Sequence, residues 1–175
     1  MPFTLTRTLP ILQRTPKLLN IWLQGLEDCW TKCNYGPDTF NPYDVVGHLI
    51  HGEQTDWMVR VRIILEHGEA EAFPPFDRYA MYIASQGKSM EQLLAEFATL
   101  REQNLEGLQK LHLTEEQLDR RGTHAALGRV TLRQLLATWV VHDLNHLHQI
   151  AKAMAYQYRE EVGPWQQYLS ILPAS

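Results

Sequence analysis

Apolar residues recur at helical spacing along most of this chain, and no segment shows a convincing period-two alternation, so the sequence constrains the fold to packed helices. Leu5, Leu9, Leu12, Leu18, Leu19, Ile21, Trp22 and Leu26 mark a first helix, which Pro16 is expected to interrupt or restart. The turn-forming stretch NYGPDTFNP ends in Asn41, Pro42 and Asp44, which suit an N-cap, a first helical position and a first turn. A second helix is predicted from there over roughly 42–67. The segment HGEAEAFPPFDRYA, with its glycine and adjacent prolines, must then be a long connection.

Ser89 with Gln92 forms a capping box before Leu93, Leu94, Phe97, Leu100, Leu105 and Leu108, which predicts a third helix over roughly 90–111. Thr114 and Gln117 repeat the pattern for a short turn, and RRGTHAALGRV reads as a loop. Thr131 with Gln134 caps a last helix predicted over roughly 132–162, ended by Gly163 and Pro164. Four main helices with long loop connections predict an all-α, up-and-down four-helix bundle, built as one domain over residues 1–175.

Composition narrows the function. The chain is 45% hydrophobic and 21% charged, which suits a globular domain with a sizeable core. Sixteen Lys and Arg against twenty Asp and Glu give a net charge of -4, so there is no basic field to hold a nucleic-acid backbone. No apolar run approaches the roughly 18 residues of a membrane span, and MPFTLTRTLP lacks the regions of a signal peptide, so the expected location is the cytoplasm. Cys29 and Cys33, the only cysteines, are too few for a disulfide framework and are assigned no role.

Eight histidines are the unusual count. In VVHDLNHLHQI, His142 and His146 lie four residues apart, about 40° around a helix axis, so both can face one point. They continue the apolar row of Leu135, Trp139, Ile150 and Ala153 and therefore point inward. Imidazoles turned into a core need hydrogen bonds, a partly solvated pocket or a cation. His48 lies on an inward row of the second helix with Val45, Thr55, Asp56 and Val59, and Gly52 leaves space beside it. Three neutral imidazoles from two helices suit a metal site with open positions for water or substrate; three satisfied core histidines are the alternative.

The other histidines fit less well. His148 is turned about 200° from His146 and reads as a surface or interface residue, while His51 is the substitute ligand if His48 is not one. His67 and His112 sit near helix ends, and His124 belongs to the loop before the last helix, where it reads as a solvated loop histidine, with the mouth of a bundle pocket within reach as the alternative. Glu53 and Asp56 are candidate proton acceptors or partners of the ligands, and Arg60 is a candidate contact for an anionic substrate group; each also reads as a surface charge or a bundle ion pair. Asp143 is a further candidate partner.

The segments GHLIHGEQTDW, GTHAALGRVTLRQLL and HDLNHLHQI, in this order and spacing, resemble the DinB-like (YfiT-like) superfamily of four-helix-bundle proteins, and ILEHGEAEAFPPFDR is similar to the connection of one branch. The resemblance spans most of the chain. It implies one divalent metal ion, nickel or zinc first and manganese or iron next, held by His48, His142 and His146. It also implies an enzyme that joins a low-molecular-weight thiol to an electrophilic substrate, with metal-dependent hydrolysis or a non-enzymatic metal- or ligand-binding module as alternatives. The aromatic segment WQQYLSIL leads to the expectation of a homodimer, or of a tail folded back on its own domain.

Overall fold

The helix-start signals all form. Asn41, Ser89, Thr114 and Thr131 each accept a hydrogen bond from the backbone three residues on, and in each the third residue's side chain reaches back to the cap, completing four capping boxes. The computed structural model describes residues 1–172. Its elements are α1 (Leu5–Leu23), α2 (Asp28–Thr31), α3 (Pro42–Thr55), α4 (Trp57–Glu66), α5 (Met81–Ala84), α6 (Met90–Lys110), α7 (Glu115–Leu118), β1 (Arg121–His124), β2 (Gly128–Thr131) and α8 (Leu132–Tyr156). A 3-10 turn over Gly163–Tyr168 follows.

The fold is a four-helix bundle of α1, the α3–α4 pair, α6 and α8. α1 packs on α6 and α8, and α3 packs on the same two, so α1 and α3 lie across the bundle from one another. The long connections are what allow that crossing. Among the described residues, no helix is long and apolar enough to cross a membrane.

The structure corrects several expectations. Pro16 does not interrupt the first helix: α1 runs unbroken through Pro10 and Pro16. Proline at 16 removes the donor that would reach the Leu12 carbonyl, and the guanidinium of Arg101 supplies one instead, at 3.0 Å. Continuity turns Leu12, Thr15, Pro16, Leu19 and Leu23 inward and leaves Leu18 and Ile21 exposed. The second helix is two, broken at Asp56, and the break leaves Thr55 exposed rather than on the inward row. Beyond it Trp57 lies over Gly52 and stacks on Trp139 at 5.5 Å.

The expected loop at RRGTHAALGRV is a β-hairpin, with Arg121 opposite Thr131 and His124 opposite Gly128. Four-residue strands are too short to show a period in sequence. Gly122 is needed there: a Cβ would come within 2.7 Å of Ile64 and 2.9 Å of Phe73. The last helix ends at Tyr156 rather than near 162, continuing as turns. In the tail, Trp165 and Tyr168 are exposed while Leu172 is buried.

Buried apolar residues form two clusters, one around Trp57, Leu105, Leu132 and Trp139, the other around Leu19, Leu49, Phe97 and Ile150. Between them, along each helix of the bundle, lies a polar layer: Thr15 on α1, Glu53 on α3, Arg101 on α6, and Asp143 with His146 on α8, all buried.

Candidate metal centre

His142 and His146, one turn apart on α8, meet His48 of α3 at this layer. The Nε2 atom of His142 lies 3.3 Å from that of His48 and 3.0 Å from that of His146. One ring nitrogen from each of the three falls within 4.8 Å of the others. His48 and His146 are buried and His142 is half-buried. Burial pushes the His48 imidazole down to about 4, with the neighbouring His146 adding to the effect and the Arg78 main chain opposing it. Burial, then His146 and His48, pushes His142 further down. His146 is lowered by burial and partly restored by Gln149 and Asp143. All three rings are therefore neutral near physiological pH.

Neutral imidazoles with converging nitrogens suit a cation. Separations of 3.0 and 3.3 Å are those of nitrogens sharing one ion at about 2.1 Å. Gln149 Oε1 lies 2.7 Å from His146 Nδ1, so an amide oxygen there fixes the proton on Nδ1 and leaves Nε2 as a lone pair. The Nδ1 atoms of His48 and His142 are buried without a hydrogen-bond partner of normal geometry. The residues present fit a divalent ion.

The carboxylates next to the triad have other partners. Arg101 donates from Nη1 and Nη2 to Asp143 at 2.6 and 2.9 Å, and from Nε and Nη2 to Glu53 at 3.0 and 2.8 Å. Thr15 Oγ1 donates to Asp143 at 2.6 Å, while Trp139 and Asn104 donate to Glu53 at 3.2 and 2.9 Å. Burial raises the Glu53 carboxyl and Arg101 opposes it; burial also disfavours the Arg101 charge, but Asp143 and Glu53 raise its pKa overall. Glu53 is thus a bundle ion pair and not a surface charge. Asp56, also buried, pairs with Arg60 one turn on. Burial lifts its carboxyl to about 6 against the pull of Arg60.

A cavity of about 480 Å³ opens beside the triad, lined by His48, His142 and His146 together with Asp56, Arg60, Arg78 and His124. Aromatic rings of Phe40, Trp57, Phe73 and Phe76 supply its apolar wall. The connection after α4 reaches this wall because Phe73 N–H donates to the Thr123 carbonyl of β1 at 2.9 Å. Phe76 then packs on His48 at 5.3 Å.

The chain is matched over residues 11–150 by the family model of the DinB superfamily. It belongs to that superfamily. No curated protein matches the sequence. Among solved structures, YfiT from Bacillus subtilis superposes with a TM-score of 0.72 at 20% identity, covering 91% of this chain and 90% of that one. YfiT is described as a probable metal-dependent hydrolase with an unusual four-helix bundle topology. At that identity the likeness shows the shared fold.

Of the other histidines, His51 stays outside the cluster, with its ring near Thr55 and Phe76. His148 is exposed, His67 faces Glu66 and Glu71 at the surface, and His112 is exposed with a φ of 45°. His124 lies on strand β1, not in a loop, and lines the cavity; its Nδ1 accepts from the backbone of Ala126 and Leu127. Cys29 is exposed and Cys33 half-buried, both free. Sequence reasoning missed Arg101 and Arg78. Arg101 had a signal, a charge on the row of Leu94, Phe97, Leu105 and Leu108; Arg78, in an aperiodic connection, had none.

Proposed function

We propose that this DinB-superfamily protein is a divalent-metal-dependent enzyme that joins a low-molecular-weight thiol to an electrophilic substrate. The observation that carries the reading is the convergence of three neutral imidazole nitrogens at the wall of a cavity large enough for two small reactants. Nickel or zinc, and next manganese or iron, suits an all-imidazole set. A bound ion supplies positive charge that lowers the pKa of a thiol or water held against it.

The chain's own residues do the rest. His48, His142 and His146 would hold the ion without adding negative charge, so its charge would be available to a bound nucleophile. Gln149 holds His146 in the tautomer that presents Nε2. Phe40, Phe76 and Trp57 exclude water from one side of the cavity and give an electrophile an apolar surface. The thiol would lose its proton to solvent, its sulfur would form a bond to the electrophilic atom, and the bond from that atom to the leaving group would break, the group departing with the electron pair.

Hydrolysis is the second reading, and Asp56 is the observation that favours it. Its carboxyl lines the cavity and is lifted by burial to about 6, in the range of a general base for water. A non-enzymatic metal-binding module is the third.

The test has two steps. Elemental mass spectrometry on untagged protein is expected to find about one divalent ion per chain. The loaded protein is then assayed with a panel of thiols and electrophiles, and with ester and amide substrates in the absence of thiol. Turnover that requires thiol supports transfer; turnover without it that is lost in Asp56→Asn supports hydrolysis; no turnover with stoichiometric metal supports the binding module.

A further inference from the structure

The cavity beside the triad has an unbalanced charge. Its one acidic side chain, Asp56, is spent on Arg60, and the two cancel. What remains is Arg78. No carboxylate pairs with its guanidinium among the described residues.

Arg78 is nonetheless held in place. Its guanidinium carbon lies 5.3 Å from the Phe40 ring and 5.1 Å from the Tyr79 ring. Stacking of this kind leaves the in-plane N–H groups free to donate. Phe40 itself packs on His48 at 5.7 Å, so the guanidinium and the triad share one aromatic wall. A planar fork of donors, pre-oriented on rings and uncompensated, matches a carboxylate.

We infer that Arg78 is the anion-recognition residue of the cavity, and that the substrate is a small amphipathic carboxylate. Its charged end meets the Arg78 guanidinium and its apolar body rests on Phe40, Phe76 and Trp57. Arg60, the candidate that the sequence offered for the anionic group, is paired with Asp56, which leaves Arg78 as the cavity's unpaired cation among the described residues. The assignment rests on the proposed enzyme only in placing the reacting part of the substrate next to the triad; recognition of the anion requires no metal.

Calorimetric titration of full-length, metal-free protein with 2-naphthoate and with the isosteric neutral 2-naphthamide tests it. The wild type is expected to bind naphthoate at least about tenfold more tightly than the amide. Arg78→Met is expected to erase the preference, bringing naphthoate affinity down to that of naphthamide, and Arg78→Lys to retain part of it. Arg78 is exposed, so the melting temperature of these variants should match the wild type and report an intact fold. Equal binding of the two probes by the wild type, a preference that survives in Arg78→Met, or no binding of either probe overturns the inference. Because the titration is metal-free, its failure is distinct from a failure to find metal or turnover.

Discussion

Arg101 of α6 grips Asp143 of α8 through two parallel hydrogen bonds of 2.6 and 2.9 Å, and Asp143 directly follows His142 in the chain. The same guanidinium holds Glu53 of α3, five residues after His48, and caps the Leu12 carbonyl left open by Pro16. One buried side chain therefore ties together all four helices of the bundle at the level of the triad. The spacing between His48 and His142 is expected to depend on that tie, since Glu53 shares α3 with His48 and Asp143 shares α8 with His142.

Arg101→Leu leaves two buried carboxylates without their cation, and removing one partner of such a cluster costs about 3–5 kcal/mol. Urea unfolding of metal-free protein should show that loss, and Arg101→Lys should recover part of it. The cobalt-loaded Lys variant, folded but with a looser tie, is expected to show an altered visible absorption spectrum. A wild-type spectrum and affinity would mean that the triad is positioned without Arg101.

His48→Ala, His142→Ala and His146→Ala are each expected to lower bound metal from about one ion per chain to near none, measured by elemental analysis after dialysis. Gln149→Ala removes only the group orienting His146, and a loss of about 10–100-fold in affinity is expected. Retention of stoichiometric metal in all three histidine variants would return these residues to the core.

Acid should destabilise the metal-free protein. His48 protonates near 4 in the folded chain against an ordinary 6.5, and His142 and His146 are depressed in the same sense. Unfolding then takes up protons, so their contribution is present above 6.5 and lost as pH falls toward 4. Asp56, raised from 3.8 to about 6, acts in reverse: its contribution is present below 3.8 and lost as pH rises through 6. Three imidazoles outweigh it, and His48 alone amounts to about 3 kcal/mol. Thermal melts between roughly pH 7 and 5 should show a falling Tm, with a shallower slope in His142→Gln. A flat profile would contradict the burial of neutral rings.

Gly122→Ala places a methyl group against Ile64 and Phe73, where neither neighbour has room. A cost of about 1–3 kcal/mol is expected, read by chemical denaturation. Because the hairpin carries His124 and Val130 into the cavity wall, naphthoate binding should weaken as well.

Much of this protein was readable from local signals. The boxes at Asn41, Ser89 and Thr131 fixed where three long helices begin, since a cap and its third residue lie within one turn. His142 and His146 were readable as an inward pair because four residues is one turn and their row was otherwise apolar.

What the tertiary structure alone decided depends on partners distant in sequence. Pro16 sits in a continuous helix because Arg101, 85 positions later, donates the hydrogen bond that proline cannot. Glu53 and Asp143 are struts rather than surface charges for the same reason. Arg60 and Arg78 look alike in sequence, but a carboxylate one turn away neutralises the first and two aromatic rings hold the second open. Helix starts and faces follow from spacing along one segment, whereas the state of a buried charge is set by whatever the packing places against it.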